Sequence, residues 1–265
     1  MPYINEVLDN NRAQLEDARR RKAVAAASAS RFLFEPDKVF ESLSRRIVGQ
    51  PEPLAAVHDM LHILKADFGV ADRPLSVMLF VGSTGVGKTE TVRVLAESIS
   101  GNVDALCRID MNTLAQEHYA AALTGAPPGY VGSKEHHTLF DFDKVEGSFS
   151  RPGIVLLDEL EKANDAVIRA LLNVCDSGIL TLSAGTKSVN FRNSLIFMTS
   201  NVGVRELAAY RKKYASGWRR FFNLKPSKKA EQSILQTALE KRFDPEFINR
   251  IDRVVYFAEL DAQWL

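Results

Sequence analysis

The chain has 265 residues, 46% of them apolar and 9% aromatic, and its 34 Lys and Arg nearly balance 33 Asp and Glu for a formal charge of +1. That composition excludes disordered and fibrous classes and gives no general electrostatic drive toward nucleic acid. The longest apolar runs, such as Val77 to Val81 and Ile154 to Leu157, are strand-sized and far short of the roughly 18 to 20 residues that span a bilayer, so no membrane partner is expected. The N-terminus mixes acids with bases and fits neither a secretory signal nor a transit peptide. Cys107 and Cys175, both in apolar contexts, suit two buried thiols in a reducing compartment. A cytoplasmic location is therefore expected.

Residues 1–35 read as a charged N-terminal helical arm, with Ile4, Val7, Leu8, Leu15 and Ala18 at helical spacing on a thin apolar stripe. The globular part is expected over 36–265. It begins with a helix over Pro53 to Lys65, followed by a strand at Ser76 to Val81, a Gly-rich turn and a helix over Glu90 to Ser100. Further strands are expected at Leu106 to Asp110, Ile154 to Leu157, Leu195 to Thr199 and Arg253 to Phe257, with helices at Asp165 to Asp176 and Ala230 to Arg242. Strands that are almost wholly apolar and alternate with helices predict an α/β fold, a parallel five-stranded sheet covered on both faces. Gly178 to Leu182 and Lys187 to Phe191 are expected to form a surface hairpin.

Gly82-Ser83-Thr84-Gly85-Val86-Gly87-Lys88-Thr89 fits the pattern G-x-x-x-x-G-K-[ST] between a strand and a helix. Glycines let backbone N–H groups curl around phosphates, and the helix N-terminus adds partial positive charge. Lys88 is expected to reach the β and γ phosphates of ATP, and Thr89 to hold Mg²⁺ through its hydroxyl. Some seventy residues on, the apolar run Ile154 to Leu157 delivers Asp158 and Glu159 at a strand's C-terminal end, where ligands bind in open α/β sheets. Asp158 would bind Mg²⁺ directly or through water, and Glu159 would polarise the attacking water. The pair of motifs points to a Mg-dependent ATPase.

From about Val39 to Leu260 the chain resembles the AAA+ ATPase module of Clp-type unfoldases, most closely the second ring of ClpB, ClpA and ClpV. Six blocks carry the resemblance: Ile47 to Gln50, the phosphate loop, Gly125-Ala126-Pro127-Pro128-Gly129-Tyr130-Val131-Gly132, Leu157 to Ala163, Met198 to Gly203, and Phe247 to Asp252. It implies that Ile47 and Val48 line the adenine pocket and that Asn201 is the sensor orienting water beside the γ-phosphate; a helix cap is the alternative for Asn201. Arg250 resembles the arginine finger that acts on a neighbouring subunit's nucleotide, which requires an oligomer, by resemblance a hexameric ring. Its alternative is an ion pair with Asp252 or Glu246. The Pro- and Gly-rich block around Tyr130 must be a loop, and in the family this pore loop grips protein substrates as polypeptide is threaded through the ring. Packing of Tyr130 on its own domain is the alternative.

The chain also departs from that pattern. It stops soon after the fifth strand, so the small helical lid with its second sensor arginine is expected to be missing. Between Asn201 and Arg250 there is no Ile-Gly-Leu or Ile-Gly-Phe tripeptide, which argues against a ClpP-like peptidase partner. Instead, Arg205 to Lys229 holds nine Lys and Arg, one acid and five aromatics, a local charge of +8 that leaves −7 on the rest. That basic insert suits nucleic acid, an acidic protein, or aromatics packed on the domain beneath solvated bases. The functions to weigh are a protein-remodelling motor, a nucleic-acid-linked AAA+ switch or loader, and a nucleotide-gated scaffold. His58 and His62 stand at i, i+4 but lack the Glu of a zincin motif, and His136-His137 lack Cys support, so no metal besides Mg²⁺ is expected.

Overall fold

The computed structural model describes residues 30–67, 72–115, 140–181, 188–215 and 227–260. Two helices come first, α1 (Pro36–Arg46) and α2 (Pro51–Lys65), each with proline in its first turn, where the missing N–H costs nothing. Then follow β1 (Ser76–Val81), α3 (Lys88–Ser100), β2 (Leu106–Asp110), α4 (Phe142–Glu146), β3 (Gly153–Asp158) and α5 (Asp165–Ser177). The short strands β4 (Ile179–Thr181) and β5 (Ser188–Asn190) pair antiparallel, as the hairpin expectation required. The rest comprises β6 (Ser194–Ser200), α6 (Val204–Ala215), α7 (Lys228–Arg242), α8 (Pro245–Ile248) and β7 (Arg253–Tyr256).

Five strands form one sheet in the order β2-β3-β6-β1-β7, and every pairing is parallel. All residues of β1, β3 and β6 are buried, which is why these strands read as unbroken apolar runs rather than alternating ones. Successive side chains still point to opposite faces. Val77, Leu79, Val81, Val155, Leu157, Ile196 and Met198 pack with α5, α7 and α8 through Leu171, Val174, Leu239 and Phe247. Met78, Phe80, Leu156 and Phe197 pack on the other face with α1, α2 and α3 through Leu43, Leu61 and Leu95. Phe32 and Phe34, just ahead of α1, belong to this second core, and Lys65 Nζ donates to both of their carbonyls at 2.9 and 2.8 Å. Residues 1–29 of the expected arm lie outside the described residues.

The register brings the carboxyl ends of the central strands level. Val81 stands opposite Ser200, Leu157 opposite Met198 and Asp110 opposite Asp158. Leaving β1, the chain crosses through α3 to the far edge at β2, so the turn after β1 opens beside the ends of β6 and β3. Both cysteines are buried and free, and burial pushes the Cys175 thiol up to about 12. Among the described residues no helix is long and apolar enough to cross a membrane.

Candidate active site at the carboxyl edge of the sheet

The loop from Gly82 to Thr89 owes its shape to close approach and to left-handed backbone. At Gly82 a Cβ would lie 2.8 Å from the Phe257 carbonyl oxygen, so the loop leaves β1 pressed against the segment after β7. Gly85 and Gly87 adopt φ of 83° and 100°, which side-chain-bearing residues rarely tolerate, and Gly87 immediately precedes α3 as its N-cap. Val86 turns inward to the second core, and Ser83 Oγ donates to Glu259 Oε1 at 3.1 Å.

Lys88, the first residue of α3, is 7% exposed. Its ammonium donates to Gly82 O at 2.6 Å, Ser83 O at 2.7 Å and Asn201 Oδ1 at 2.8 Å, which uses all three protons. Burial lowers its pKa to about 8, partly offset by the attraction of Glu161, Asp158 and Glu159. Thr89 Oγ1 donates to Asp158, 3.1 and 3.3 Å from its two oxygens. Asp158 at the end of β3 also accepts from Thr199 Oγ1 on β6 and from Arg108 Nη2 on β2, the latter at 2.6 Å. Glu159 follows in left-handed backbone with φ of 58°, uncommon for a residue with a side chain, and its N–H donates to Thr199 Oγ1 at 3.0 Å. A cavity of about 410 Å³ is lined by these groups, among them Thr84, Gly85, Gly87, Lys88, Thr89, Arg108, Asp158, Glu159, Thr199 and Asn201.

The structure thus gathers eight of the sequence-predicted site residues around one cavity: Thr84, Gly85, Gly87, Lys88 and Thr89 of the loop with Asp158, Glu159 and Asn201. Asn201 spends its side-chain oxygen on Lys88 rather than on capping α6, where only its backbone carbonyl accepts from Val204 N–H. Ile47 and Val48 do not line this cavity. Ile47 is buried close to Gly87, and Val48 is 45% exposed. Arg250 is also apart from the cavity, in the turn after α8, with Nη1 3.1 Å from Asp176 Oδ1. Neither sequence-expected partner of Arg250 is the observed one: Asp252 is engaged by Arg73 and by the N–H of Val77. Tyr130 lies outside the described residues.

Three polar residues were given no role by the sequence reading: two that line the cavity, Arg108 and Thr199, and one bonded to the loop at Val86, Gln50. Arg108 and Thr199 both hold Asp158, from the middle of β2 and near the end of β6. Gln50 is 1% exposed and ties three segments together. Its Nε2 donates to Val86 O and Ala258 O, and its Oε1 accepts from Ala258 N–H. The donor set fits a nucleoside triphosphate with its metal: N–H groups at a helix start, a lysine ammonium, and the hard oxygens of Thr89 and Asp158, which suit Mg²⁺ rather than a softer ion.

Residues 73–254 match the family model described as the AAA domain of the Cdc48 subfamily. The chain belongs to this AAA family. A Pseudomonas aeruginosa protein named ATP-dependent protease ATP-binding subunit-like protein AmiB is 46% identical, the match spanning 97% of this AAA chain and 74% of that relative. The chaperone ClpB of Chlamydia caviae is 42% identical over 84% of this chain but only 24% of its own length. Among solved structures, Hsp104 in its closed state with ATPγS and FITC-casein superposes with a TM-score of 0.70 at 26% identity, covering 86% of this chain and 36% of that one. The molecule is a Clp-type AAA+ ATPase with the expected parallel five-stranded sheet. Asp37 of α1 also joins His58 and His62, which sequence spacing had left as a pair without a third ligand.

Proposed function

We propose that this AAA+ chain is a cytoplasmic motor that remodels or unfolds proteins, hydrolysing ATP in a homo-oligomeric, hexameric ring and threading polypeptide past Tyr130. The observation that carries the reading is the convergence of Lys88, Thr89, Asp158, Glu159 and Asn201 on one cavity at the carboxyl edge of the sheet. ATP would lie with its phosphates in the 82–89 loop, and Lys88 would exchange its loop carbonyl partners for phosphate oxygens while Asn201 keeps it oriented. Thr89 and Asp158 would hold Mg²⁺, which when bound neutralises phosphate charge. Arg108 and Thr199 fix the Asp158 carboxylate and so set the direction of that ligand. Glu159 takes the role of base toward the attacking water, its backbone pinned by Thr199.

Arg250 acts in this scheme on a neighbour's nucleotide, a role supported by its position away from its own chain's cavity and its half-exposed side chain. Ile47 and Val48 would face adenine. The Pseudomonas aeruginosa relative is named for an ATP-dependent protease, but without a docking tripeptide between Asn201 and Arg250 the proposal includes no peptidase. The nucleic-acid reading loses support because Arg211 and Lys228, two bases of the 205–229 interval, are paired to Glu231, Glu259 and Glu52 of the same chain. Trp218, Arg219, Arg220, Phe221 and Phe222 lie outside the described residues.

Two substitutions test the motor. Glu159→Gln is expected to keep ATP binding and lower turnover by roughly 10²- to 10⁴-fold, with ATP-bound oligomers accumulating in analytical ultracentrifugation. Tyr130→Ala is expected to spare basal hydrolysis and abolish unfolding of a fluorescent model substrate. Unfolding at the parent rate by the Tyr130 variant rejects threading, whereas parent-level hydrolysis by Glu159→Gln rejects the catalytic assignment.

A further inference from the structure

We propose that Asp37, His58 and His62 form a binding site for a divalent transition-metal ion of the Zn²⁺ class, joining α1 to α2. His58 and His62 are one turn apart on the same face of α2, and Asp37 projects onto them from the first turn of α1. His58 Nε2 stands 2.9 Å from Asp37 Oδ1 and 3.0 Å from His62 Nε2, and His62 Nε2 stands 3.5 Å from Asp37 Oδ1. In a tetrahedral site with metal–ligand bonds of about 2.0 Å, ligand atoms are separated by about 3.3 Å. The three observed separations bracket that value, so the triangle already has the dimensions of one face of a zinc tetrahedron.

Protons alone cannot satisfy this triangle. A neutral imidazole nitrogen either carries a hydrogen or offers a lone pair, never both. If His58 Nε2 donates to Asp37, it has no lone pair for His62; if it accepts from His62, it turns a lone pair toward the Asp37 carboxylate. One contact of the three is repulsive in either tautomer, and a cation at the centre makes all three attractive. Two imidazoles and one carboxylate suit Zn²⁺, Co²⁺ or Ni²⁺ and not the oxygen-preferring Mg²⁺ or Ca²⁺. The Phe40 ring, 4.5 Å from that of His58, limits its rotation, and His62 is half-exposed, leaving the fourth position to water.

The site shares no residue with the cavity around Lys88. Its place in the chain still relates it to nucleotide. Helix α1 is held at its far end by Arg46, which pairs with Glu90 and Glu97 on α3, and it runs directly into Ile47 to Gln50 before α2 begins. A metal at the near end would close α1, the 47–50 link and α2 into a loop fixed at both ends, and would resist separation of the two helices.

The test uses the full chain stripped of metal with a chelator and then dialysed. Titration with ZnCl₂ against a chromophoric chelator, and with CoCl₂ followed by visible absorption, is expected to show one equivalent bound at micromolar affinity or tighter. His136→Ala/His137→Ala is expected to retain that binding, whereas His62→Ala and Asp37→Asn each weaken it at least tenfold. Zn²⁺ is expected to raise the melting temperature of the parent and leave that of His62→Ala unmoved. Because His62 is half-exposed, its variant keeps the test decisive even if His58→Ala fails to fold. Absence of stoichiometric binding, or equal affinity in the parent, His62→Ala and Asp37→Asn proteins, overturns the proposal.

Discussion

The phosphate loop and the basic stretch that starts at Arg205 both look strongly polar in the sequence, yet they are built in opposite ways. Around the loop, charge is taken out of water: Lys88 and Asp158 are both buried, and each is met by several fixed partners from separate segments of the chain. Among the described residues of the stretch from Arg205 to Lys229, the paired charges stay at the surface. Arg211 of α6 reaches Glu231 of α7 at 2.6 Å and Glu259 at 2.7 Å, and Lys228 reaches Glu52 at 2.7 Å, all between side chains that keep solvent contact. A buried, fully partnered charge has lost its hydration and holds a set geometry, whereas a solvated pair contributes little and binds nothing by itself. Burial, and not local charge density, marks which of the two regions performs chemistry.

That contrast is sharpest at Lys88. Replacing it by Met is expected to cut ATP turnover by roughly 10²- to 10³-fold, measured by phosphate release. The pKa of about 8 adds a second readout. The unfolded chain has the ordinary lysine value near 10.4, so between about pH 8 and that value it binds more protons than the folded chain, and stability rises with pH across the window. Below pH 8 the burial penalty is fully present. Phosphate beside the ammonium favours its charged form, so ATP binding at pH 8.5 is expected to take up a fraction of a proton and to weaken as pH climbs. Calorimetry in two buffers of different ionisation enthalpy measures this uptake; its persistence in Lys88→Met would assign it elsewhere.

An intermediate effect is expected from the loop's glycines. Gly82→Ala drives a Cβ to 2.8 Å from Phe257 O and 3.0 Å from Phe257 Cβ, where Phe257 N–H also closes a hydrogen bond to Val81 O. The β1–β7 end must shift, for about 2 to 3 kcal/mol of stability in urea denaturation. Gly85→Ala meets no atom within 4 Å and costs only backbone strain at its φ of 83°, about 1 kcal/mol. Equal losses at the two glycines would contradict the close approach at Gly82.

The smallest effect belongs to the basic layer. Arg211→Ala removes both of its carboxylate contacts and is expected to cost less than about 1 kcal/mol, with ATP turnover within twofold of the parent. A loss comparable to that of Lys88→Met would erase the contrast between the two regions.

Much of the fold was legible because it is local. Ser76 to Val81 and Leu106 to Asp110 are strands within the residues the sequence marks, the first a continuously buried run and the second an edge strand that alternates buried Cys107 and Ile109 with exposed Arg108 and Asp110. Helix starts were less sharp. The Glu90 to Ser100 helix begins at Lys88 and the Pro53 to Lys65 helix at Pro51, because capping by Gly87 and by first-turn proline is a matter of backbone geometry. In the site, Lys88, Thr89, Asp158 and Glu159 were found because their spacing within each motif carries the chemistry. Arg108, Thr199 and Gln50 were not, because each acts on a partner at least 36 residues away.

By itself the sequence determined the parallel sheet, four of the helices that cover it and the phosphate-loop motif, since apolar runs, glycine positions and motif spacing act over a few residues. Only the tertiary structure decided that Asn201 holds Lys88 rather than a helix end, that Arg250 meets Asp176, and that Asp37 completes a triangle with His58 and His62. These depend on how separate elements pack, and packing sets distances between side chains that sequence separation leaves free.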